Sequence, residues 1–146
     1  NAKVETDFSI AVGHNSTVGN TAINSLAIGR NTKVDGSYSA ALGGNATVTA
    51  ERSLALGHDA EALLGESIAL GYQSKTTEAE SATPYCLDTQ LYYSTNRVVS
   101  AGVGPNSYLR RIQGAAPGAE DHDVVTVLQL KTVVADLVAQ IEALKN

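Results

Sequence analysis

The sequence predicts a mainly β protein: a parallel β-roll, then a connecting region and a C-terminal coiled-coil helix. A five-residue motif returns five times in the first half, a tyrosine-rich stretch interrupts the repeat, and a heptad pattern of aliphatic residues follows. The 146 residues include 13 Gly but only one Phe, no Trp and no Met. Such a composition suits thin layers of small side chains rather than a compact core built on aromatic residues.

The repeated motif is Ser, an aliphatic residue or Ala, Ala, an aliphatic residue, and Gly. Its glycines are Gly13, Gly29, Gly43, Gly57 and Gly71, and after a slightly longer first interval their spacing is constant. Alternation along the motif predicts a strand, and a Gly at the same place in every copy predicts a close approach that a Cβ would block. Each copy also has a weaker second arm, which predicts a second short strand. One such coil cannot bury its apolar side alone, so we expect the coils of residues 1–77 to stack.

Two details refine the repeat. The two extra residues of the first copy, around Gly19-Asn20, predict a surface bulge at a turn, because loops tolerate insertions at little cost. A β-sandwich is the rival architecture for five short strands. Its strands would not repeat one motif in register, so a parallel roll is the better interpretation.

The connector, residues 78–108, contains four of the six tyrosines and the only cysteine, Cys86. Residues 91–99 alternate and include β-branched residues, which predicts a strand. Cys86 can form no disulfide within one chain, and a lone thiol is compatible with passage through an oxidising compartment. We expect Cys86 to be a buried small hydrophobic residue.

Two interpretations of the connector are open. It could cap the open end of the roll, as solenoids require. Alternatively it could be a ligand surface, with Tyr85, Tyr92 and Tyr93 as candidate binding residues, because Tyr is enriched in binding hot spots. The sequence favours the cap.

The C-terminal residues predict a helix from Asp123 onward, with a coiled-coil stalk over residues 127–146. The apolar seam is spaced 3, 4, 3, 4, 3, with Val127, Val134 and Ile141 at a and Leu130, Leu137 and Leu144 at d. A β-branched residue at a with Leu at d favours a parallel dimer. Val133 and Val138, at g and e, widen the apolar face and favour three helices. We therefore predict a trimer, with a dimer as the alternative.

Charge and composition argue against several classes of function. The net charge is −5, and Arg110-Arg111 is the only adjacent basic pair, so neither nucleic acid nor an anionic membrane is expected as a partner. Adjacent His and Asp residues, as in His58-Asp59 and His122-Asp123, are expected to point apart, so we predict no metal site. Three copies of His122 near a trimer axis could still form a pH-sensitive cluster. No catalytic constellation is found, and we predict neither an enzyme nor a cofactor.

Two motifs resemble the YadA-like trimeric autotransporter adhesins. The five copies of Ser-[Ile/Leu/Ala]-Ala-[Val/Ile/Leu]-Gly are similar to the family's head repeat. The run from Leu109 to Lys131 is similar to its neck, with Arg110, Arg111, Ile112, Gly114 and Asp123 as the neck residues. The family's neck usually has Thr-Asp-Ala-Val-Asn where this chain has His122-Asp-Val-Val-Thr126, which puts the polar contacts between subunits in doubt.

The resemblance implies a left-handed parallel β-roll head, a neck over residues 109–126 and a parallel trimeric coiled coil. It implies a homotrimer on the outer membrane of a Gram-negative bacterium, held by an anchor outside this sequence, so we expect a fragment of a longer protein. The implied partners are host collagen, fibronectin, laminin or cell-surface receptors, bound without a cofactor. The alternative is a structural spacer of a surface fibre, in an adhesin or in a phage or injection system, with no ligand of its own.

Overall fold

The computed structural model describes residues 1–76, 99–101, 111–119 and 124–145. It separates into two compact units, residues 1–110 and residues 111–146, and each is described by itself. The described part of the first unit consists of short parallel strands, and that of the second contains one helix. The predicted parallel roll and C-terminal helix are therefore confirmed.

The strands of the first unit alternate between two sheets. In chain order they are β1 (Lys3–Val4), β2 (Ile10–Val12), β3 (Thr17–Val18), β4 (Leu26–Ile28), β5 (Lys33–Val34), β6 (Ala40–Leu42), β7 (Thr47–Val48), β8 (Leu54–Leu56), β9 (Glu61–Ala62), β10 (Ile68–Leu70), β11 (Lys75–Thr76) and β12 (Val99–Ser100). The even-numbered strands form what we call the motif sheet, in the order β12-β10-β8-β6-β4-β2. The odd-numbered strands form the second-arm sheet, in the order β1-β3-β5-β7-β9-β11. Each coil thus adds one strand to each sheet.

The core between the two sheets is thin and consists of small side chains. In β8, Ala55 is completely buried, whereas Leu56 is 40% exposed. Among the described residues, the buried hydrophobic ones are all Ala or Val: Val18, Ala22, Ala27, Val34, Ala41, Ala46, Val48, Ala55, Ala60, Ala62 and Ala69. The Ser and Ala side of each motif strand therefore faces inward. Stacking of the coils does not bury the aliphatic side, because so short a coil encloses too little space for Leu or Ile.

The turns between strands depend on three backbone positions with positive φ in each coil. Two are non-glycine residues, such as Tyr38 (56°) and Asn45 (57°) around the third motif copy, and the third is the motif glycine. Gly43 has a φ of 133°, and a Cβ on it would lie 2.4 Å from the carbonyl oxygen of Gly57 in the next coil. Both the conformation and the close approach exclude a side chain there.

The bulge predicted near Gly19-Asn20 is confirmed. Asn20 and Thr21 are exposed, whereas Ala22 after them is buried. The Oγ of Ser9 donates to the carbonyl oxygen of Ala22 at 3.0 Å, and later motif serines make the equivalent bond. The two extra residues therefore leave the stacking frame intact.

Most of the connector lies outside the described residues, including the three candidate tyrosines and Cys86. Of the predicted strand over residues 91–99, only Val99 is described, and it begins β12. β12 pairs in parallel with β10 and so belongs to the motif sheet.

The helix of the second unit, α1, runs from Val127 to Ala143 and is capped by Leu144. It begins later than the predicted start at Asp123, because Thr126 is extended and caps the helix. The Oγ1 of Thr126 accepts from the backbone N–H of Gln129, and the Gln129 side chain accepts from the backbone N–H of Thr126. In the described part of the chain, no helix is both long and apolar enough to span a membrane.

Candidate functional site

The outer surface of the motif sheet is apolar. Parallel pairing in register places equivalent aliphatic residues of successive coils in two columns. The columns are Ile10, Leu26, Ala40, Leu54, Ile68 and Val99, and beside them Val12, Ile28, Leu42, Leu56 and Leu70; we call this surface the apolar face. Its side chains are exposed to different degrees: Ile10 is 56% accessible, whereas Leu26 and Leu54 are of intermediate burial. A continuous apolar surface of this kind is typical of an interface.

The outer surface of the second-arm sheet is polar. Its column consists of Lys3, Thr17, Lys33, Thr47, Glu61 and Lys75. Lys33 pairs with Asp35 at 2.6 Å, and Lys75 pairs with Glu61 of the preceding coil at 2.6 Å. This side can face water, so only the opposite side of the roll needs to be covered.

A ladder of serine side chains determines which side of the motif strands points inward. The Oγ of Ser39 donates to the carbonyl oxygen of Ala50 at 3.0 Å and accepts from the backbone N–H of Ser53 at 3.1 Å. Ser25 and Ser53 make equivalent bonds to their neighbours. These buried hydroxyls are therefore satisfied only when serine faces the core. Because side chains alternate along a strand, the aliphatic residues must then point outward.

A second ladder runs along the turn that follows each motif glycine. The Nδ2 of Asn31 donates to the Oδ1 of Asn45 at 3.1 Å, and the Nδ2 of Asn45 donates to the Oδ1 of Asp59 at 2.9 Å. We call the positions two residues after the motif glycines the amide column: Asn15, Asn31, Asn45, Asp59 and Gln73. All have φ of 55–57°, which Asn and Asp tolerate best. Sequence reasoning missed this column, although a polar side chain at every one of these positions was its signal.

His58 and Asp59 contact each other in this turn, so the expectation that they point apart is wrong. The positive φ of Asp59 turns its side chain back, and its Oδ2 lies 2.9 Å from the Nδ1 of His58. The pKa of Asp59 is lowered, first by the hydrogen bond from Asn45 and then by the charge and hydrogen bond of His58 and a hydrogen bond from Gln73; desolvation opposes this. The His58 ring also lies 5.8 Å from the Tyr72 ring.

No cluster of three or more His, Cys, Asp or Glu side chains that could hold a metal ion is found among the described residues. His58 and Asp59 bring only two such groups together. The other His-Asp pair, at residues 122–123, lies outside the described part.

The described residues of the predicted neck lie before helix α1. Arg111, Ile112 and Gly114 are exposed, and Gly114 has a φ of 77°; Arg110 and Asp123 are outside the described residues. The Gln129 side chain joins this segment to the helix. Its Nε2 donates to the carbonyl oxygen of Gly118 at 2.9 Å, and its Oε1 accepts from the Gly118 N–H at 3.2 Å.

Helix α1 buries none of its residues. The six seam residues are all exposed within this chain: Val127, Leu130, Val134, Leu137, Ile141 and Leu144. Val133 and Val138, beside the seam, are 56% and 49% exposed. The helix and the apolar face thus each present an apolar surface that the described residues of the chain leave uncovered.

Comparison with known proteins identifies the repeats. The family model of the YadA head domain repeat, which describes two copies of the repeat, matches residues 1–16, 21–46, 35–60 and 49–74. Among solved structures, the chain is similar to the collagen-binding domain of the Yersinia adhesin YadA. The identity is 26% and the TM-score is 0.45, with 87% of this chain and 75% of that chain covered. No curated protein sequence matches the chain.

Proposed function

Because its repeats belong to the YadA head-repeat family, we propose that the chain is part of a homotrimeric bacterial adhesin that binds host matrix proteins or cell-surface receptors. The activity is binding, and it needs no catalysis, metal or cofactor. The observation that carries the proposal is the apolar face, which one chain leaves half-exposed. Exposing columns of aliphatic side chains to water is unfavourable in free energy unless another chain covers them.

Three copies of the chain would cover both exposed apolar surfaces, the apolar face of the roll and the seam of helix α1. Each roll directs its apolar face toward the other copies and keeps its polar second-arm sheet outward. The helices associate through the seam, with Val133 and Val138 filling the wider interface of three strands. Three identical heads on one stalk would also strengthen weak individual contacts with a ligand through avidity.

The proposal extends the family's organisation to this chain. The head is a left-handed roll over residues 1–77, followed by the connector (78–108), the neck (109–126) and a parallel trimeric coiled coil (127–146). The neck, with Arg110, Arg111, Ile112, Gly114 and Asp123, passes the three chains from the head to the stalk. We place the protein at the cell surface of a Gram-negative bacterium, associated with the outer membrane.

The trimer is tested by sedimentation at micromolar concentration. We expect three times the mass of one chain, and a stable monomer would contradict the proposal. Leu56→Glu places a charge within the apolar face, so it should weaken the trimer. Thr47→Glu adds the same charge to the polar second-arm sheet and should leave the mass unchanged.

Adhesion is tested by binding of the trimer to surfaces coated with collagen, fibronectin, laminin or receptor ectodomains. Saturable binding to at least one of them is expected. Binding to none by a folded trimer would favour the alternative, a structural spacer in a surface fibre. The combined variant Tyr92→Ala and Tyr93→Ala tests the connector, and Tyr85→Ala tests the third candidate. Unchanged binding by a folded variant would remove the substituted tyrosines from the ligand site.

A further inference from the structure

The roll departs from its regular period at only one of its two corners in the described coils. The fixed corner, from the motif glycine to the next second-arm strand, has the same length in every coil, for example residues 13–16 and 43–46. The amide column and the glycine contacts hold this corner at constant length. The variable corner connects a second-arm strand to the next motif strand. The Asn20-Thr21 bulge lies there and changes no pairing.

Strand β12 continues the motif sheet after a long interruption of the sequence. Val99 is in register with Ile68, and Ser100 is in register with Ala69. The local sequence, Val98-Val99-Ser100-Ala101-Gly102, then places a glycine as far after Val98 as Gly71 lies after Ser67. The segment therefore has the spacing of a motif copy, with its glycine retained and its Ser and Ala positions altered.

We infer that Val99–Ser100 begins a sixth, degenerate coil and that the tyrosine-rich sequence before it is an insertion at the variable corner, dispensable for the fold. The short run 63–67 connects β9 to β10, whereas the much longer run 77–98 connects β11 to β12. The longer connection exceeds the shorter one by the length of the segment 79–95. The entropy of closing a loop rises slowly with its length, so a coil can follow such an insertion.

The two ends of the motif sheet differ in the burial of the motif alanine, as we expect if a sixth coil covers one end. Ala11, in edge strand β2, is only partly buried, whereas Ala69 in β10, which β12 follows, is completely buried. A terminal coil that no longer needs the exact motif is typical of a solenoid cap. The cap function is thereby assigned to β12. The inference does not depend on adhesion.

Cysteine cross-linking tests the register. In a Cys86→Ser background, the pair Ile68→Cys and Val99→Cys would place one thiol on each of two adjacent parallel strands. Neighbouring strands lie about 4.8 Å apart, so the Cα atoms of the pair are within the separation that a disulfide accepts. We expect mild oxidation to link them within one chain, at monomer mass on a denaturing gel. The control pair, Leu42→Cys and Val99→Cys, lies three strands apart and should not link within a chain. Failure of the first pair, or equal linking of both, would overturn the sixth coil.

A deletion in register tests dispensability. Removing the segment 79–95 leaves Thr77, Glu78, Asn96, Arg97 and Val98 as the connection, which then has the length that joins β9 to β10. We expect the variant to keep its β-sheet circular dichroism and its sedimentation, with a melting temperature within about 3 °C of the parent. The control deletion of the segment 88–104 has the same length but removes β12, and it should lower the melting temperature strongly. If both deletions unfold the protein, or both leave it unchanged, the inference is wrong.

Discussion

The roll and the helix differ in how much of their apolar surface is buried within one chain. In the roll, Val18, Val34 and Val48 are completely buried within one chain, and buried serines bond to the neighbouring coils. Helix α1 buries no residue, although its N-terminus is fully capped. The roll therefore has its own core and leaves only its apolar face uncovered. In the proposed trimer, the helix would depend on the other chains for all of its apolar burial.

We therefore expect the stability of the roll to depend on contacts within one chain, and that of the helix to depend on association between chains. The roll is held by backbone contacts between coils about 4.8 Å apart, so it should respond most to changes that block that approach. An isolated helix of this length is marginal in water, so α1 should respond most to changes that block association.

The largest effect is expected at Gly43. In Gly43→Ala, the new Cβ would lie 2.4 Å from the carbonyl oxygen of Gly57, at a φ of 133°. Because the obstacle is backbone in a closed stack, we expect a loss of about 3–4 kcal/mol in the free energy of unfolding. Denaturant unfolding measures it. In Gly65→Ala the nearest atom to the new Cβ is 3.7 Å away, so this control should change stability by less than about 1 kcal/mol. Equal losses would show that coil contact does not limit the roll.

The next effect is expected in the helix seam. Leu137→Asp places a charge at position d, where another helix should pack, and we expect a loss of about 2–4 kcal/mol of association free energy per subunit. Ala135→Asp introduces the same side chain at position b, outside the seam. Sedimentation across a dilution series should show weaker association only for the first variant. Similar behaviour of both would mean that the seam is not an interface.

A smaller effect is expected from the serine ladder. Ser39→Ala removes a donor to the carbonyl oxygen of Ala50, a part-buried bond, and an acceptor for the N–H of Ser53, a buried bond. We expect a loss of about 1–3 kcal/mol, measured by thermal unfolding, because the buried partners keep no replacement. Ser37→Ala removes an exposed bond to the carbonyl oxygen of Thr21 and should cost less than about 1 kcal/mol. A Ser39 variant as stable as the parent would contradict the ladder's role in orienting the strands.

The periodicity of the sequence was sufficient to predict the coils, the paired strands of each repeat and the bulge after Gly19. It was insufficient for the orientation of the strands. Hydrophobicity alone would turn Leu and Ile inward, whereas the narrow interior accepts only Ala, Val and hydrogen-bonded Ser or Thr. That limit comes from the width of the coil, which a pattern along the chain does not contain.

Two further features could not be predicted from the sequence: the contact between His58 and Asp59, and the place of β12 in the roll. The contact between His58 and Asp59 depends on the positive φ of Asp59, and adjacency in sequence suggested the opposite. β12 escaped prediction as part of the roll because its motif copy has Val98 and Ser100 in place of the usual Ser and Ala. The place of β12 follows from three-dimensional register, which identifies equivalent positions even where the residues differ.

The smallest effect is expected at Asp59 and depends on pH. Its pKa is lowered in the folded chain, chiefly by the hydrogen bond from Asn45, so ionised Asp59 stabilises the roll above the unfolded-state pKa of about 3.9. This contribution is lost as the pH falls through the lower folded-state pKa. Asp59→Asn should therefore narrow the difference in melting temperature between pH 7 and acid relative to the parent. Asn45→Ala should raise the carboxyl pKa of Asp59 in an NMR titration. An unchanged pKa would show that the hydrogen bond from Asn45 does not stabilise the ionised carboxyl of Asp59.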